Sequence, residues 1–136
     1  MRTFLQRALF LLLATGMSLS LLAADAEKKK GSSKPGKLQH VVSFKFKKSA
    51  TPEQIDQVVK DFKGLKKQIS QIDGFKWGTN VSPEKHDKGF THTFILTFAS
   101  DKDRDDYLIH AAHKEFGAKL GPVLEDVFVM DFWPGK

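Results

Sequence analysis

The order in which strand-type and helix-type hydrophobic patterns follow one another is the strongest constraint on how this chain of 136 residues folds. Four segments alternate apolar and polar residues with the period of two that is typical of half-buried strands. Two longer segments carry apolar residues at the spacing of an amphipathic helix. The strand-type segments are residues 38–47, 75–81, 91–99 and 126–133, and the helix-type segments are 51–73 and 100–124. The resulting β-α-β-β-α-β order predicts an α+β protomer of the ferredoxin-like type.

The first helix has the clearest start signal in the sequence. Thr51 is suited to cap the helix, Pro52 to occupy its first position, and Gln54 to close a capping box. Apolar side chains then recur at helical spacing as far as Ile72, with lysines and aspartates on the opposite face. The Asp-Gly pair at 73–74 indicates where this helix ends.

The second helical region concentrates the residues that can carry acid–base chemistry. It contains the only tyrosine of the chain, Tyr107, and two of its five histidines, His110 and His113. Tyrosine and neutral histidine can polarise a carbonyl or move a proton near neutral pH. On one uninterrupted helix Tyr107 and His113 would diverge by about 120°, whereas a break near His110 lets both face the same space. Three further residues are expected to interrupt this region: Gly117, Gly121 and Pro122.

The predicted topology leaves one face of the sheet uncovered. We expect the first and third strands to be parallel neighbours at the sheet centre, with both helices packed on the Phe-rich face. The open face would carry Val41, Ser43, Thr93, Ile95, Thr97 and Val129. Because a half-apolar face needs a cover, and a second copy of the chain supplies one, the sequence predicts a homodimer whose two sheets pack together.

Two more histidines open the apolar faces of the central strands, His40 in the first and His92 in the third. If these strands run parallel, both imidazoles lie at one end of the sheet beneath the helices. The sequence therefore predicts one small pocket in each subunit for an unknown small-molecule ligand. The reactive pair would be His113 and Tyr107, and the lining residues would be His40, His92, His110, Phe44 and Phe94.

Each of these residues also has a structural interpretation. His40 and His92 could be core-edge histidines bonded to the backbone, since buried polar groups are normally paired. Tyr107 could pack its ring and expose its hydroxyl, and His110 is expected to cap the helix break. A histidine metal site is a further alternative, because His110 and His113 have helical spacing and the strand histidines could complete a set. It is disfavoured because no carboxylate is obviously placed behind these rings.

The first 26 residues have the composition of a signal peptide. Arg2 and Arg7 precede an apolar run over residues 8–22, and the small-x-small motif at 24–26 fits a cleavage site. We therefore expect a periplasmic or secreted protein. The run is short for a membrane-spanning helix, which disfavours an uncleaved anchor. The chain has no cysteine, so disulfides, thiolate zinc sites and lipoprotein attachment are not expected.

Most of the positive charge lies outside the predicted domain. Residues 27–37 hold five lysines and one glutamate, contain Gly, Ser and Pro, and lack apolar side chains, which predicts a basic disordered linker. Residues 38–136 hold 15 basic and 14 acidic groups, so the formal charge of +6 does not indicate a nucleic-acid partner. A functional interpretation of the linker is weak, salt-sensitive contact with an anionic envelope surface.

Three segments occur in a distinctive order. They are the strand at 39–47 that begins Gln-His, the Gly-Phe-Thr-His sequence at 89–92, and Tyr107-x-x-His110-x-x-His113-x-x-Phe116, and the closing Asp131-Phe132 accompanies them. Together they resemble the stress-responsive A/B barrel (Dabb) family over residues 38 to 134. The resemblance implies that residues 38–136 form one Dabb domain, which assembles as a small dimeric α/β barrel of ferredoxin-like protomers.

One branch of that family, the plant polyketide cyclase that forms olivetolic acid, closes a ring by an aldol reaction without a cofactor. There a helix histidine acts as base and a tyrosine orients the substrate. The resemblance assigns these roles to His113 and Tyr107, and it matches His40 and His92 to further pocket histidines. Many relatives have proline where this chain has Ala111, which implies a softer helix break here.

Together with the signal-peptide composition of residues 1–26, the resemblance thus implies an exported protein that binds a small, partly apolar molecule. An exported protein has no evident access to a coenzyme A-linked polyketide, so the plant reaction itself is not expected. If the chain is an enzyme, it would be a cofactor-independent cyclase, isomerase or lyase that removes a proton beside a carbonyl. The alternative class is a non-catalytic, stress-related structural or interaction module.

Overall fold

The computed structural model describes residues 36–135, so the predicted signal peptide and most of the predicted linker lie outside the described residues. The β-α-β-β-α-β order is confirmed, with the second helical region divided into two helices. The elements are β1 (Leu38–Phe46), α1 (Pro52–Gln68), β2 (Gly74–Thr79), β3 (His92–Phe98), α2 (Asp101–Ile109), α3 (Ala111–Leu120) and β4 (Leu124–Phe132).

The sheet has the order β2-β3-β1-β4, and every neighbouring pair is antiparallel. The prediction that β1 and β3 are parallel was therefore wrong. The crossover through α1 gives β1 and β2 the same direction, and the turn after β2 then reverses the chain, so β3 opposes β1. In the observed register His92 faces Phe44 and His40 faces Leu96. The two histidines are thus four residues apart, or roughly 13 Å along the strand, at opposite ends of the sheet.

Helix α1 begins as expected and ends earlier than expected. The Thr51 hydroxyl accepts the Gln54 N–H and the Gln54 side chain accepts the Thr51 N–H, which completes the capping box. The helix ends at Gln68, and yet Ile69 and Ile72 are 0% and 3% exposed. Their apolar spacing therefore reflects burial of the connecting segment, not continuation of the helix.

Gly117 does not interrupt the second helical region as predicted, because it lies inside α3. This helix ends at Leu120, and Gly121 is its C-cap. β4 then begins at Leu124, where the prediction extended the helical region. Among residues 36–135, none of the helices is both long and apolar enough to cross a membrane.

The pairing of β1 with β4 decides which side of β4 faces the helices. Val42 is opposite Val129 and Val41 is opposite Met130. Since directly paired residues project from the same side of a sheet, Val129 lies on the helix side and not on the open face, where it was predicted. The open face of β4 instead carries three large apolar side chains that are 43–52% exposed: Phe128, Met130 and Phe132.

The N-cap of α1 gives a test of whether the capping box stabilises the domain. Thr51→Ala removes the acceptor for the Gln54 N–H, so we expect the free energy of unfolding to fall by about 1 kcal/mol in a urea titration. Ser49→Ala, which removes an exposed hydroxyl just outside the helix, is the matched control and should leave it unchanged. Equal values for the two variants would show that the capping box does not stabilise the domain.

Candidate functional site

A cavity of about 250 Å³ lies between α2, α3 and the β1–β4 side of the sheet. Four polar side chains reach it, namely His40, Tyr107, His113 and Asp131. The remaining lining is apolar and includes Phe44 and Val129. The cavity therefore combines titratable groups with an apolar wall, as small-molecule sites commonly do.

Larger depressions lie elsewhere on the described residues. One, of about 450 Å³, is on the open face of the sheet beside Thr93 and Ile95. A second, of about 600 Å³, runs between the lysines of α1 and Trp77, and a third, of about 440 Å³, lies between α1 and Pro122. None of the three is lined by a histidine or a tyrosine. The smaller cavity is the better candidate because the groups with acid–base chemistry converge there.

The geometry of this cavity depends on the break between α2 and α3. His110 has extended backbone angles, φ −64° and ψ 138°, and ends one helix while starting the next. Its Nδ1 accepts the Ala112 N–H at 3.1 Å, which confirms the predicted capping role. The break is complete although Ala111 is not proline. It brings the rings of Tyr107 and His113 to a centroid distance of 4.3 Å.

His113 is held as a neutral base. Its Nδ1 lies 3.1 Å from the Leu108 carbonyl oxygen, and because a carbonyl can only accept, Nδ1 carries the proton. The Nε2 lone pair is then free to take up a proton. Burial lowers the pKa of His113 below its ordinary value, against the opposing effect of the bond to Leu108, and the nearby His40 and His110 lower it further. The imidazole is therefore neutral at pH 7.

Tyr107 is held as a hydrogen-bond donor. The residue is 1% exposed, and burial raises the pKa of its phenol far above the ordinary value, so the hydroxyl keeps its proton. Within residues 36–135 this hydroxyl has no hydrogen-bond partner. Its oxygen is not fully buried, because no fully buried side-chain nitrogen or oxygen in this part of the chain lacks a partner. The O–H is therefore available to a molecule in the cavity.

The fourth polar group of the cavity, Asp131, was not predicted from the sequence. Asp131 Oδ1 lies 2.5 Å from His40 Nδ1, and the other carboxylate oxygen is paired with Arg104. His40 itself is 4% exposed, and its ring is 5.7 Å from that of Tyr107. Asp131 and His40 are 91 positions apart in the chain, so no local spacing could have indicated the pair. It depends on the register in which β4 joins β1.

Three of the predicted lining residues lie outside this cavity. His92 is at the other end of the sheet, where it stacks on Trp77 at 6.3 Å, and burial lowers its pKa. Phe94 is fully buried and packs between Phe44 and Phe62. His110 serves the helix break. The correct expectations are thus the placement of His40, Phe44, Tyr107 and His113 around one space.

The alternative of a histidine metal site finds no support in this arrangement. Among residues 36–135 no group of three or more His, Cys, Asp or Glu side chains is placed to hold a metal ion. His92 is separated from the other histidines by the antiparallel pairing of β1 and β3. His110 uses Nδ1 to cap α3, so the His-x-x-His spacing reflects the helix break.

Comparison with known proteins shows a family to which this chain is similar. The profile of the family described as "Stress responsive A/B Barrel Domain" matches residues 38–134. A stress-response A/B barrel domain-containing protein of Arabidopsis thaliana is 35% identical over 99 residues, which is 73% of this chain and 91% of that protein. Olivetolic acid cyclase of Cannabis sativa is 30% identical over 99 residues, covering 73% of this chain and 98% of the cyclase.

Solved structures agree with the observed topology. The hydroxynitrile lyase from Passiflora edulis superposes with a TM-score of 0.70 at 28% identity, covering 75% of this chain and 96% of the lyase. A dimeric ferredoxin-like protein of unknown function from Thermobifida fusca gives a TM-score of 0.62 at 19% identity, covering 72% and 92%. At that identity the second likeness shows the fold alone.

The lowered pKa of His113 generates a prediction about acid stability. Between the ordinary histidine pKa near 6.5 and the lower value in the folded state, the unfolded chain binds more protons, so stability falls as pH falls. His113→Gln removes this dependence, and we expect the unfolding free energy to decline less steeply from pH 7 to pH 5. The difference in slope is at most about 1.4 kcal/mol per pH unit.

The measurement is urea unfolding at several pH values, with His86→Gln as control because His86 lies exposed in the loop between β2 and β3. That control should keep the wild-type slope. If His113→Gln also kept it, the imidazole would not be desolvated in the folded protein.

Proposed function

The chain belongs to the stress-responsive A/B barrel domain family, and on that premise we propose that it binds a small, partly apolar carbonyl compound in the cavity beside α2 and α3. We further propose that it promotes proton transfer next to that carbonyl without a cofactor. The observation that carries the proposal is the convergence of Tyr107 and His113 on one space, with opposite and complementary hydrogen-bonding roles.

The distribution of polar and apolar groups indicates the shape of the ligand. His40 and its partner Asp131 are at one end of the cavity wall, and Phe44 and Val127 are at the other. Four strand residues separate the ends, which is roughly 13 Å. At about 250 Å³ the cavity is smaller than most drug-sized sites. A ligand with one polar head and a compact apolar body fits this division.

The apolar end is rigid because aromatic rings support it. Phe62 stacks on Phe44 and on Phe116, with ring centroids 5.6 and 4.5 Å apart. Such stacked pairs contribute about 1 kcal/mol each beyond the area that they bury. The wall that receives the ligand's apolar body is therefore formed before binding, which reduces the entropy lost on association.

The polar end supplies both partners of a proton abstraction. The Tyr107 O–H donates to the carbonyl oxygen, and His113 Nε2 removes the proton from the adjacent carbon. The electron pair of the broken C–H bond then forms the enolate, which the phenol stabilises. Return of the proton from the imidazolium to the enolate completes an isomerisation. Alternatively, the enolate carbon attacks a second carbonyl of the ligand, and the imidazolium gives its proton to the alkoxide that forms, which completes ring closure. His40 orients the substrate. Among the relatives, a cyclase and a hydroxynitrile lyase favour an activity of the cyclase or lyase type.

We also propose that the functional unit is a homodimer closed through the open face of the sheet. Phe128, Met130 and Phe132 leave a continuous apolar surface there, and monomeric proteins rarely expose large apolar patches. Solved structures with this fold are described as dimeric. Two subunits whose sheets pack together through this face form the proposed dimeric α/β barrel. This same surface favours the second candidate function, a non-catalytic interaction module in which dimerisation alone matters.

Export is part of the proposal and rests on residues 1–26 alone, whose sequence fits a signal peptide. The lysine-rich segment at 27–37 would then tether the domain and attract it weakly to an anionic envelope surface.

Replacing Tyr107 by Phe separates the role of the hydroxyl in proton transfer from its effect on the stability of the fold. The hydroxyl has no hydrogen-bond partner among residues 36–135, so we expect the melting temperature to stay within about 2 °C of wild type. An enolisable aryl ketone of suitable size, valerophenone, serves as the probe. Wild-type protein in D₂O should exchange its α-protons for deuterium, as followed by NMR, and Tyr107→Phe should slow this by roughly 10²-fold or more. His113→Ala should abolish the protein-dependent exchange.

His86→Ala is the control and should behave as wild type in both measurements. If neither deuterium exchange nor a rise in melting temperature with valerophenone is seen for the wild type, the proposed ligand class is wrong. A lower melting temperature in His113→Ala without any change in probe binding would favour the structural alternative.

The dimer generates a prediction of its own. Met130→Asp places a charge in the middle of the exposed apolar row on β4, between Phe128 and Phe132, where we expect it to convert the dimer to monomer in sedimentation velocity at micromolar concentration. Ile109→Asp is the matched control, since Ile109 is 68% exposed on α2, away from that face. Dimers that persist in Met130→Asp would show that the sheets do not pack together.

A further inference from the structure

The groove of about 600 Å³ between α1 and Trp77 lies at the β2 edge of the sheet. We call it the lysine groove, after the charged residues that line it beside Trp77, namely Asp56, Lys60, Lys63 and Lys67. The cavity of the proposed reaction is at the opposite edge, beside β4. The two depressions share no lining residue, so the lysine groove has no part in the proton transfer proposed above.

The lysines of this groove are not neutralised by their surroundings. Among residues 36–135, no ion pair or hydrogen bond engages the ammonium of Lys60, Lys63 or Lys67. Lys63 instead places its Nζ 5.9 Å from the centre of the Trp77 ring, a cation–π arrangement. Three lysines against the single carboxylate of Asp56 give the lining a formal charge of +2.

The other acidic residues of α1 leave this face positive. Glu53 lies in the first turn of the helix, ahead of the groove. Counting it as well still leaves one positive charge in excess. Asp61 accepts a hydrogen bond from Gln57 at 2.7 Å and pairs with Lys119 of α3 at 3.9 Å, so it is engaged on the flank that faces α3. The helix is thus acidic at its N-terminal end and basic over the rest of the groove.

The lysine-rich segment joins the domain beside the same face. Lys37 Nζ binds the Asp73 carboxylate at 2.8 Å, and Lys66 Nζ binds the backbone carbonyl of Asp73 at 2.7 Å. Lys66 and Lys67 belong to the last turn of α1, so the chain enters the fold at the end of the helix that carries the groove. Residues 27–36 add four further lysines and one glutamate immediately upstream. The basic segment and the lysine groove are therefore adjacent.

We propose that the lysine groove is a membrane-docking surface, through which the folded domain rests on a bilayer that contains anionic phospholipid. The lysines approach the headgroup phosphates, and each strengthens binding roughly fivefold. Trp77, which is 42% exposed, enters the interface between headgroups and acyl chains. This inference goes beyond the proposed proton transfer and does not depend on it.

The exposed indole favours a bilayer over a soluble polyanion. A tryptophan ring is apolar but carries a polar N–H, which is why tryptophan is enriched where a bilayer meets water. A soluble polyanion would satisfy the lysines and leave most of the ring in water. The surface is also compatible with the proposed dimer, because the groove is on the helix side of the sheet and the dimer closes through the open face.

The test is co-sedimentation of the chain from Glu27 onward with lipid vesicles. This form keeps the basic segment and the whole hydrophobic core. We expect it to bind vesicles of phosphatidylglycerol and phosphatidylcholine, to bind less as salt is added, and not to bind phosphatidylcholine alone. Combining Lys60→Gln, Lys63→Gln and Lys67→Gln should weaken binding to the anionic vesicles by roughly 10²-fold.

The matched control removes the same charge elsewhere. Lys48, Lys85 and Lys114 are exposed, form no ion pair within residues 36–135 and do not line the groove. Their combined change to Gln should leave vesicle binding close to wild type. Both triple variants should keep the melting temperature and the valerophenone exchange of the wild type. If vesicle binding follows expectation while valerophenone neither binds nor exchanges, the docking surface stands and the proposed function fails.

Trp77 reports where the contact forms. The chain has two tryptophans, so Trp133→Phe leaves Trp77 as the one fluorophore of its kind. On addition of anionic vesicles its emission should move to shorter wavelength and its quenching by acrylamide should fall. An unchanged Trp77 signal with bound vesicles, equal losses in the two triple variants, or equal binding to phosphatidylcholine alone would each overturn the proposal. Groove-dependent binding of heparin without any binding of vesicles would show that the partner is a soluble polyanion instead.

Discussion

The break between α2 and α3 is the constraint on which the candidate site depends. One residue, His110, satisfies the N-terminus of the second helix with its side chain and ends the first with its backbone. Because the helix axis changes there, Tyr107 and His113 approach within 4.3 Å instead of diverging around a common axis. The same change leaves the Leu108 carbonyl free to fix the tautomer of His113. A structural requirement of the backbone thus creates the chemistry of the cavity.

Desolvation then gives the two rings different roles. Burial disfavours the charged form of each group, so it raises the pKa of the phenol and lowers the pKa of the imidazole. The result is a donor that keeps its proton beside a base that is free to accept one. Asp131 and Arg104, which pair with each other, add an acceptor behind His40 without introducing a lone buried charge, which would be unfavourable. Burial thus keeps Tyr107 and His113 uncharged, and pairing gives the Asp131 carboxylate a counter-charge.

Sequence reasoning succeeded where the signal is local. The capping box at Thr51, the alternation of β1 and β3, and the break at His110 are all encoded within a few residues. It was wrong about features that depend on how distant segments meet. Apolar spacing as far as Ile72 indicated burial but not helix, since both produce the same pattern. The parallel pairing of β1 and β3 was an error of topology, and it misplaced His92.

The sequence by itself determined the order of the elements, the family and the pair Tyr107–His113, because periodicity, capping and a motif within one helical region are properties of neighbouring residues. Only the tertiary structure decided which side of β4 faces the helices and that Asp131 lies behind His40. A shift of one residue in the register of β4 exchanges its two faces, and the sequence of either strand alone does not specify that register. The carboxylate that completes the site is therefore a consequence of strand pairing.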